Sequence, residues 1–128
     1  MNLQQIQYYH IMQERDRLMP IFYGGKLKGF ITYYIGILDT KYYKFNPWQL
    51  IDDEPDIGTV CYIDQLITDK EKGNNRHSSY VFKMFIDYIK WKYPRVIYLK
   101  WARYKGGKSF IYNKLIREDK YVLCNKDS

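Results

Sequence analysis

The chain has 128 residues, 46% of them apolar, and a formal net charge of +7. That supports one domain spanning residues 1–128 with a single core, and it excludes both a two-domain arrangement and a disordered chain. No apolar stretch approaches the ~20 residues of a membrane span, and Met1–Gln5 lack the features of a signal peptide, so the expectation is a cytoplasmic protein with no membrane partner.

Leu3 to Leu18 reads as a helix, with Leu3, Ile6, Tyr9 or His10, Met12 or Gln13, and Leu18 at roughly helical spacing and Pro20 as its stop. Ile21–Tyr23 and Phe30–Leu38 read as strands joined by a hairpin connection over Gly24–Gly29. Asp39 to Gly58, with Pro47, Pro55 and the acidic run Asp52-Asp53-Glu54, reads as a long solvated loop. Thr59–Thr68 is apolar on both alternating faces, as a central strand requires: Cys61, Ile63, Gln65 and Ile67 share one face, Val60, Tyr62, Asp64 and Leu66 the other.

Asp69 to Asn75 is a polar loop. Ser78 or Ser79 then caps a helix to Lys92 that buries Val81, Phe82, Phe85, Ile86 and Ile89, and Tyr93-Pro94 ends it. Val96–Ala102 reads as a strand, Gly106-Gly107 as a break, Ser109–Ile116 as a short helix and Tyr121–Cys124 as a last strand. A strand–helix–strand crossover of this length sets two strands parallel, and the earlier hairpin adds antiparallel ones. The predicted fold class is therefore α/β: a mixed antiparallel and parallel sheet with helices on both faces. Cys61 and Cys124 sit far apart in apolar runs, the pattern of reduced, buried thiols.

From Tyr62-Ile63-Asp64-Gln65-Leu66-Ile67-Thr68 into the Gly73–Ser79 segment and the helix behind it, the chain resembles the GNAT superfamily of acyl-CoA-dependent N-acyltransferases. Asn75-Arg76-His77-Ser78-Ser79-Tyr80-Val81 is similar to the N-x-x-S-x-aromatic-aliphatic signature of a divergent Mom-like branch of phage DNA-modification proteins. Tyr93–Ala102, Gly107 and Ile111-Tyr112 follow that branch's layout as well. Arg103 stands where the branch usually has Asp, and Gly107-Lys108 where it has Gly-His.

The resemblance implies acetyl-CoA, or another acyl-CoA, as co-substrate in the host cytoplasm of a phage. Leu66, Ile67 and Thr68 would pair with its pantetheine through backbone groups. The backbone N–H groups of Gly73, Asn74, Asn75, Arg76, His77, Ser78 and Ser79 would hold the pyrophosphate at a helix N-terminus. Tyr112 would protonate the departing thiolate, and Asp64 would take a proton from the attacking amine. Asp64 can equally be paired with a neighbouring Lys or Arg.

His77 reads either as a phosphate contact or as a solvent-facing loop residue, and His10 as structural. No spacing of His, Cys or Asp suits a metal. Gly106-Gly107-Lys108-Ser109 lacks the first glycine of a phosphate-binding P-loop.

The net charge favours a polyanionic partner, and DNA or another nucleic acid fits the interleaved rings and cations Lys90, Trp91, Lys92, Tyr93, Arg95, Lys100, Trp101, Arg103, Tyr104, Lys105 and Lys108, which read equally as core aromatics with a solvated basic face. A competing expectation follows from the same residues: a non-catalytic module that keeps the fold and holds nucleic acid or a host protein on that surface.

Overall fold

A computed structural model describes residues 2–36, 48–68 and 76–117, with the backbone alone at 76–79, 103–105, 108 and 109. Helix α1 (Leu3–Glu14) starts at Asn2, whose side chain accepts from the Gln5 N–H at 2.9 Å while the Gln5 side chain accepts from the Asn2 N–H. This reciprocal box satisfies two of the N–H groups that a helix start leaves orphaned. The helix is shorter than its spacing predicts. Asp16 takes a positive φ of 61°, and the chain turns into strand β1 (Leu18–Tyr23). Pro20 therefore lies inside β1. It is tolerated because β1 is an edge strand, where a missing N–H need not break the ladder.

Gly24 and Gly25, both with positive φ, close a two-residue hairpin into β2 (Lys26–Gly36). Residues 26–29 are thus strand and not connection. Gly29 of β2 is held there by close approach: a Cβ would collide with the Ile67 carbonyl oxygen. Strand β2 pairs antiparallel with β3 (Val60–Thr68), which occupies the centre of the sheet. Helix α2 (Arg76–Lys92) then crosses over to β4 (Tyr98–Lys105), parallel to β3. Strand β5 (Lys108–Leu115) returns antiparallel through Gly106-Gly107, again with φ positive at both.

The segment predicted as a helix over Ser109–Ile116 is therefore the second edge strand. Its residues alternate only weakly, with Phe110, Ile111 and Tyr112 consecutive between polar neighbours, so no periodicity separates the two states. Gly106-Gly107 is a hairpin turn, in keeping with its rejection as a phosphate loop. Tyr121–Cys124 and Cys124 lie outside the described residues.

The five strands run in the order β1-β2-β3-β4-β5, with one helix on each face. On one face Val81, Phe85 and Ile89 of α2 pack on Ile31, Tyr33, Ile35, Cys61 and Leu99, all buried. Each such side chain contributes about 1.5–3 kcal/mol. On the other face Tyr8 and Met12 of α1, an i,i+4 pair, cover Tyr34 together with Trp48, Leu50, Ile51 and Tyr62. Leu3 and Ile6, which helical spacing also offered, face solvent.

A buried ion pair joins these layers. Arg17, 7% exposed, donates from Nε to the Asp53 carboxylate and from Nη1 to the Tyr93 hydroxyl at 2.7 Å. Asp53 also accepts from the Ile35 N–H at 3.2 Å. The acidic run is thus not wholly solvated: its middle carboxylate locks the 48–59 segment to β2 and to the start of β1. At the far end of α2, Arg117 donates to the carbonyls of Lys90 and Pro94, both at 2.6 Å, covering groups that a helix end leaves unpaired.

Candidate functional site

One ladder of the sheet ends early. Parallel pairing between β3 and β4 runs over Val60↔Tyr98, Cys61↔Leu99 and Tyr62↔Lys100, and then stops. Beyond it β3 stays paired to β2 as far as Thr68↔Gly29, and β4 stays paired to β5 as far as Lys105↔Lys108. The two central strands therefore part toward their carboxyl ends, each held by its outer neighbour. The opening lies at the carboxyl end of the parallel pair, the position at which open α/β sheets take ligands. A strand edge left without a neighbour can accept the amides of an extended ligand. Leu66 and Ile67, 42% and 43% exposed, lie along this stretch of β3 together with Thr68.

Pairing with β2 places Thr32 opposite Gln65 and Tyr33 opposite Ile63, so Asp64 is the extra residue of a bulge. The bulge interrupts alternation, and both Asp64 and Gln65 reach the α1 face. The predicted grouping of Gln65 with Cys61 and Ile63 fails for this reason. The Tyr8 hydroxyl donates to Asp64, and the Tyr9 hydroxyl donates to Gln65. Thr32 Oγ1 donates to Asp64 at 3.3 Å, and the Tyr8 and Tyr34 hydroxyls share a hydrogen bond of 3.0 Å. Tyr8, Tyr9 and Trp48 pack edge to face around this carboxylate, with ring centroids 5.6–5.8 Å apart. Hydroxyl donors on α1 and β2 are thus among the partners that fix Asp64 in place.

Burial, and then the Asp64 carboxylate, push the Tyr8 phenol far above its usual range; burial and the Tyr93 hydroxyl do the same to Tyr33. Both phenols stay protonated and act as donors, and below pH ~10 their contribution to stability is complete. Above it the unfolded chain releases protons that the folded chain keeps. Stability is then expected to fall by about 1.4 kcal/mol per pH unit for each of these tyrosines. Lys92, whose ammonium burial lowers, acts in the opposite sense as a single group. Urea midpoints measured from pH 9 to 11 check the slope.

On the α2 face, just past the last parallel pair, Trp101 of β4 stacks on Tyr112 of β5 with centroids 5.7 Å apart and planes at 13°. Phe82 of α2 meets Trp101 edge to face at 5.2 Å, and the Lys114 ammonium lies 5.7 Å from the Phe82 ring. Tyr112 is therefore on a strand and not on the predicted helix, and it lies on the opposite face of the sheet from Asp64. The structure does not bring the two together on one surface: the sheet lies between them.

Helix α2 begins at Arg76, ahead of the serines expected to cap it. Arg76, His77, Ser78 and Ser79 are its first turn, since nothing in Arg76-His77-Ser78-Ser79 breaks a helix. Their backbone N–H groups have no partner within the helix, as at any helix start. Gly73, Asn74 and Asn75 lie outside the described residues.

Tyr8, Thr32 and Tyr34 escaped the sequence reading. The only signal for them was a carboxylate mid-strand in an apolar run, which requires hydroxyl or cationic partners from elsewhere. Among the described residues no group of three His, Cys, Asp or Glu side chains could hold a metal, and no helix is long and apolar enough to cross a membrane.

No family model matches the chain, and no curated protein matches it.

Proposed function

We propose that the protein is an acyl-CoA-dependent N-acyltransferase of GNAT type, with its reaction centre in the opening between β3 and β4. The observation that carries this reading is the parting of the one parallel pair after Tyr62↔Lys100, immediately before the strand end that leads to α2. The free edge of Leu66–Thr68 suits the amides of a pantetheine arm, and the exposed Leu66 and Ile67 side chains suit its apolar stretches. The N–H groups of Arg76–Ser79, at the positive end of the α2 dipole, suit a pyrophosphate.

An acyl thioester supplies an activated carbonyl. The attacking nitrogen forms the new C–N bond as the C–S bond breaks. Asp64, fixed by Tyr8 and Thr32, takes the proton released by the nitrogen, and Tyr112 returns one to the thiolate sulfur. Two such groups on opposite faces can serve one substrate only through the gap past Tyr62↔Lys100, where β3 and β4 are no longer paired. Positioning of two bound reactants supplies most of the rate. The charge of +7 favours a polyanionic acceptor, a nucleic acid carrying a reactive amino nitrogen.

Acetyl-CoA is expected to raise the melting temperature, because a ligand that binds only the folded chain stabilises it by mass action. A hundredfold excess over Kd corresponds to about 2.7 kcal/mol. An unchanged melting temperature at millimolar acetyl-CoA would remove the transferase reading.

A further inference from the structure

The basic and aromatic run that follows the middle of α2 divides into two sets in the fold. Tyr93 is buried beneath Arg17, Trp101 stacks on Tyr112, and Lys92 is bound to Asp16. Trp91 is left outside: at 77% it is the most exposed large apolar side chain among the described residues. An indole so placed contributes little to the core, and exposing it to water is unfavourable.

Its surroundings specify what would cover it. Tyr88 lies one turn back with its ring centroid 6.2 Å from that of Trp91, tilted by 46°. The Lys92 ammonium donates to the Tyr88 hydroxyl at 2.9 Å, which fixes this second ring. Lys90 and Arg95, both exposed, flank the indole in sequence, and Arg117 is anchored on the carbonyls of Lys90 and Pro94. Against these cations stand Asp87, one turn back, and Asp16, which is already bound to Lys92. Among the described residues the local balance is positive, and the helix-end carbonyls that would repel an anion are partly occupied by Arg117.

We infer that the C-terminal end of α2 is a binding surface for single-stranded nucleic acid, on which an unpaired base stacks against Trp91 while Lys90, Arg95 and Arg117 meet the flanking phosphates. A planar ring set among cations matches a base joined to phosphates, and ring-to-base stacking is indifferent to sequence. The strand must be single because the faces of bases inside a duplex are covered by their neighbours. Helix α2 has 17 residues, so Trp91 lies about 22 Å along the helix from its first turn at 1.5 Å per residue. The surface is therefore distinct from the proposed reaction centre and stands independently of it: it would hold a strand at a distance from the opening.

The test is a titration with a 20-nucleotide oligo(dT) strand at low ionic strength, read by tryptophan fluorescence and by anisotropy of a labelled strand. Trp48 and Trp101 are packed, so quenching by the strand reports chiefly on Trp91 among the chain's three tryptophans. Trp91→Ala is expected to abolish the quenching and to weaken binding by about 5- to 150-fold, the equivalent of one lost stack. Trp91→Phe is expected to keep part of the affinity, and a duplex of equal length to bind more weakly than the strand. Because Trp91 is exposed, these variants are expected to unfold at the parent's temperature and to keep any stabilisation by acetyl-CoA. Equal affinity in Trp91→Ala, or a duplex bound as tightly as the strand, overturns the stacking site. No binding of the strand at low ionic strength also overturns it and assigns the indole to a protein partner.

Discussion

Replacing Arg17 with alanine is expected to lower the unfolding free energy by about 3–5 kcal/mol, a large share of the 5–15 kcal/mol typical of a domain. The magnitude follows from what stays behind. Asp53 keeps its negative charge beside β2 with, among the described residues, the Ile35 N–H left to answer it, and the hydroxyls of Tyr33 and Tyr93 lose the cation over which their rings pack. Changing both partners, Arg17→Met with Asp53→Leu, is expected to recover only part of the loss. An apolar pair removes the stranded charge, yet the Ile35 N–H and the Tyr93 hydroxyl then lose a partner each. Urea denaturation of the two variants and the parent measures this. A drop below 1 kcal/mol for Arg17→Ala would mean that the pair is screened like a surface bridge.

Tyr112→Phe is expected to lower turnover by about 10²–10⁴-fold while acetyl-CoA affinity changes little. The substitution removes the proton and keeps the ring, so the stack on Trp101 survives and a loss of rate cannot be assigned to packing. If Tyr112 only packs, the rate stays within a few-fold and stability falls by about 1 kcal/mol. The measurement is thioester loss with a single-stranded nucleic acid or a polyamine as acceptor. Asp64→Asn separates the other half of the mechanism. The amide can still accept from Tyr8 and Thr32 but cannot take a proton, so its loss of rate should grow where the acceptor nitrogen is charged.

The centre of the fold was legible because its signals are local and strong. A nine-residue strand apolar on both faces, a polar loop and an amphipathic helix can hardly be arranged except as a parallel crossover, and β3, α2 and β4 follow it. The edges were not. Residues 108–115 alternate only weakly, and the likeness of Ile111-Tyr112 to a helical pattern decided a choice that periodicity left open. At α1 the error came from treating Pro20 as the stop. The turn at Asp16 ends the helix earlier, and an edge strand accommodates the proline.

At the site, Asp64 was visible as an anomaly in an apolar strand. Its setting was hidden, because the bulge that swings Gln65 to the same face arises from pairing with β2, and Tyr8 lies 56 residues away in the chain. Asp53 was misjudged for a related reason. A charge run in a connection is usually hydrated, and only the fold brings Arg17 to it.

The two glycine pairs govern how the sheet is assembled as well as where it bends. With φ already suited to the twist of a hairpin at Gly24-Gly25 and Gly106-Gly107, the β1·β2 and β4·β5 ribbons can each zip locally, an event of about 1–10 μs. Joining them is slower, since β3 must find β2 across the 37–59 excursion and β4 must then dock beside β3 through the α2 crossover. The three-pair seam between β3 and β4 is therefore the joint between two independently nucleated halves. It is the shortest ladder in the sheet, and the seam across which the two ribbons separate with the fewest hydrogen bonds to break.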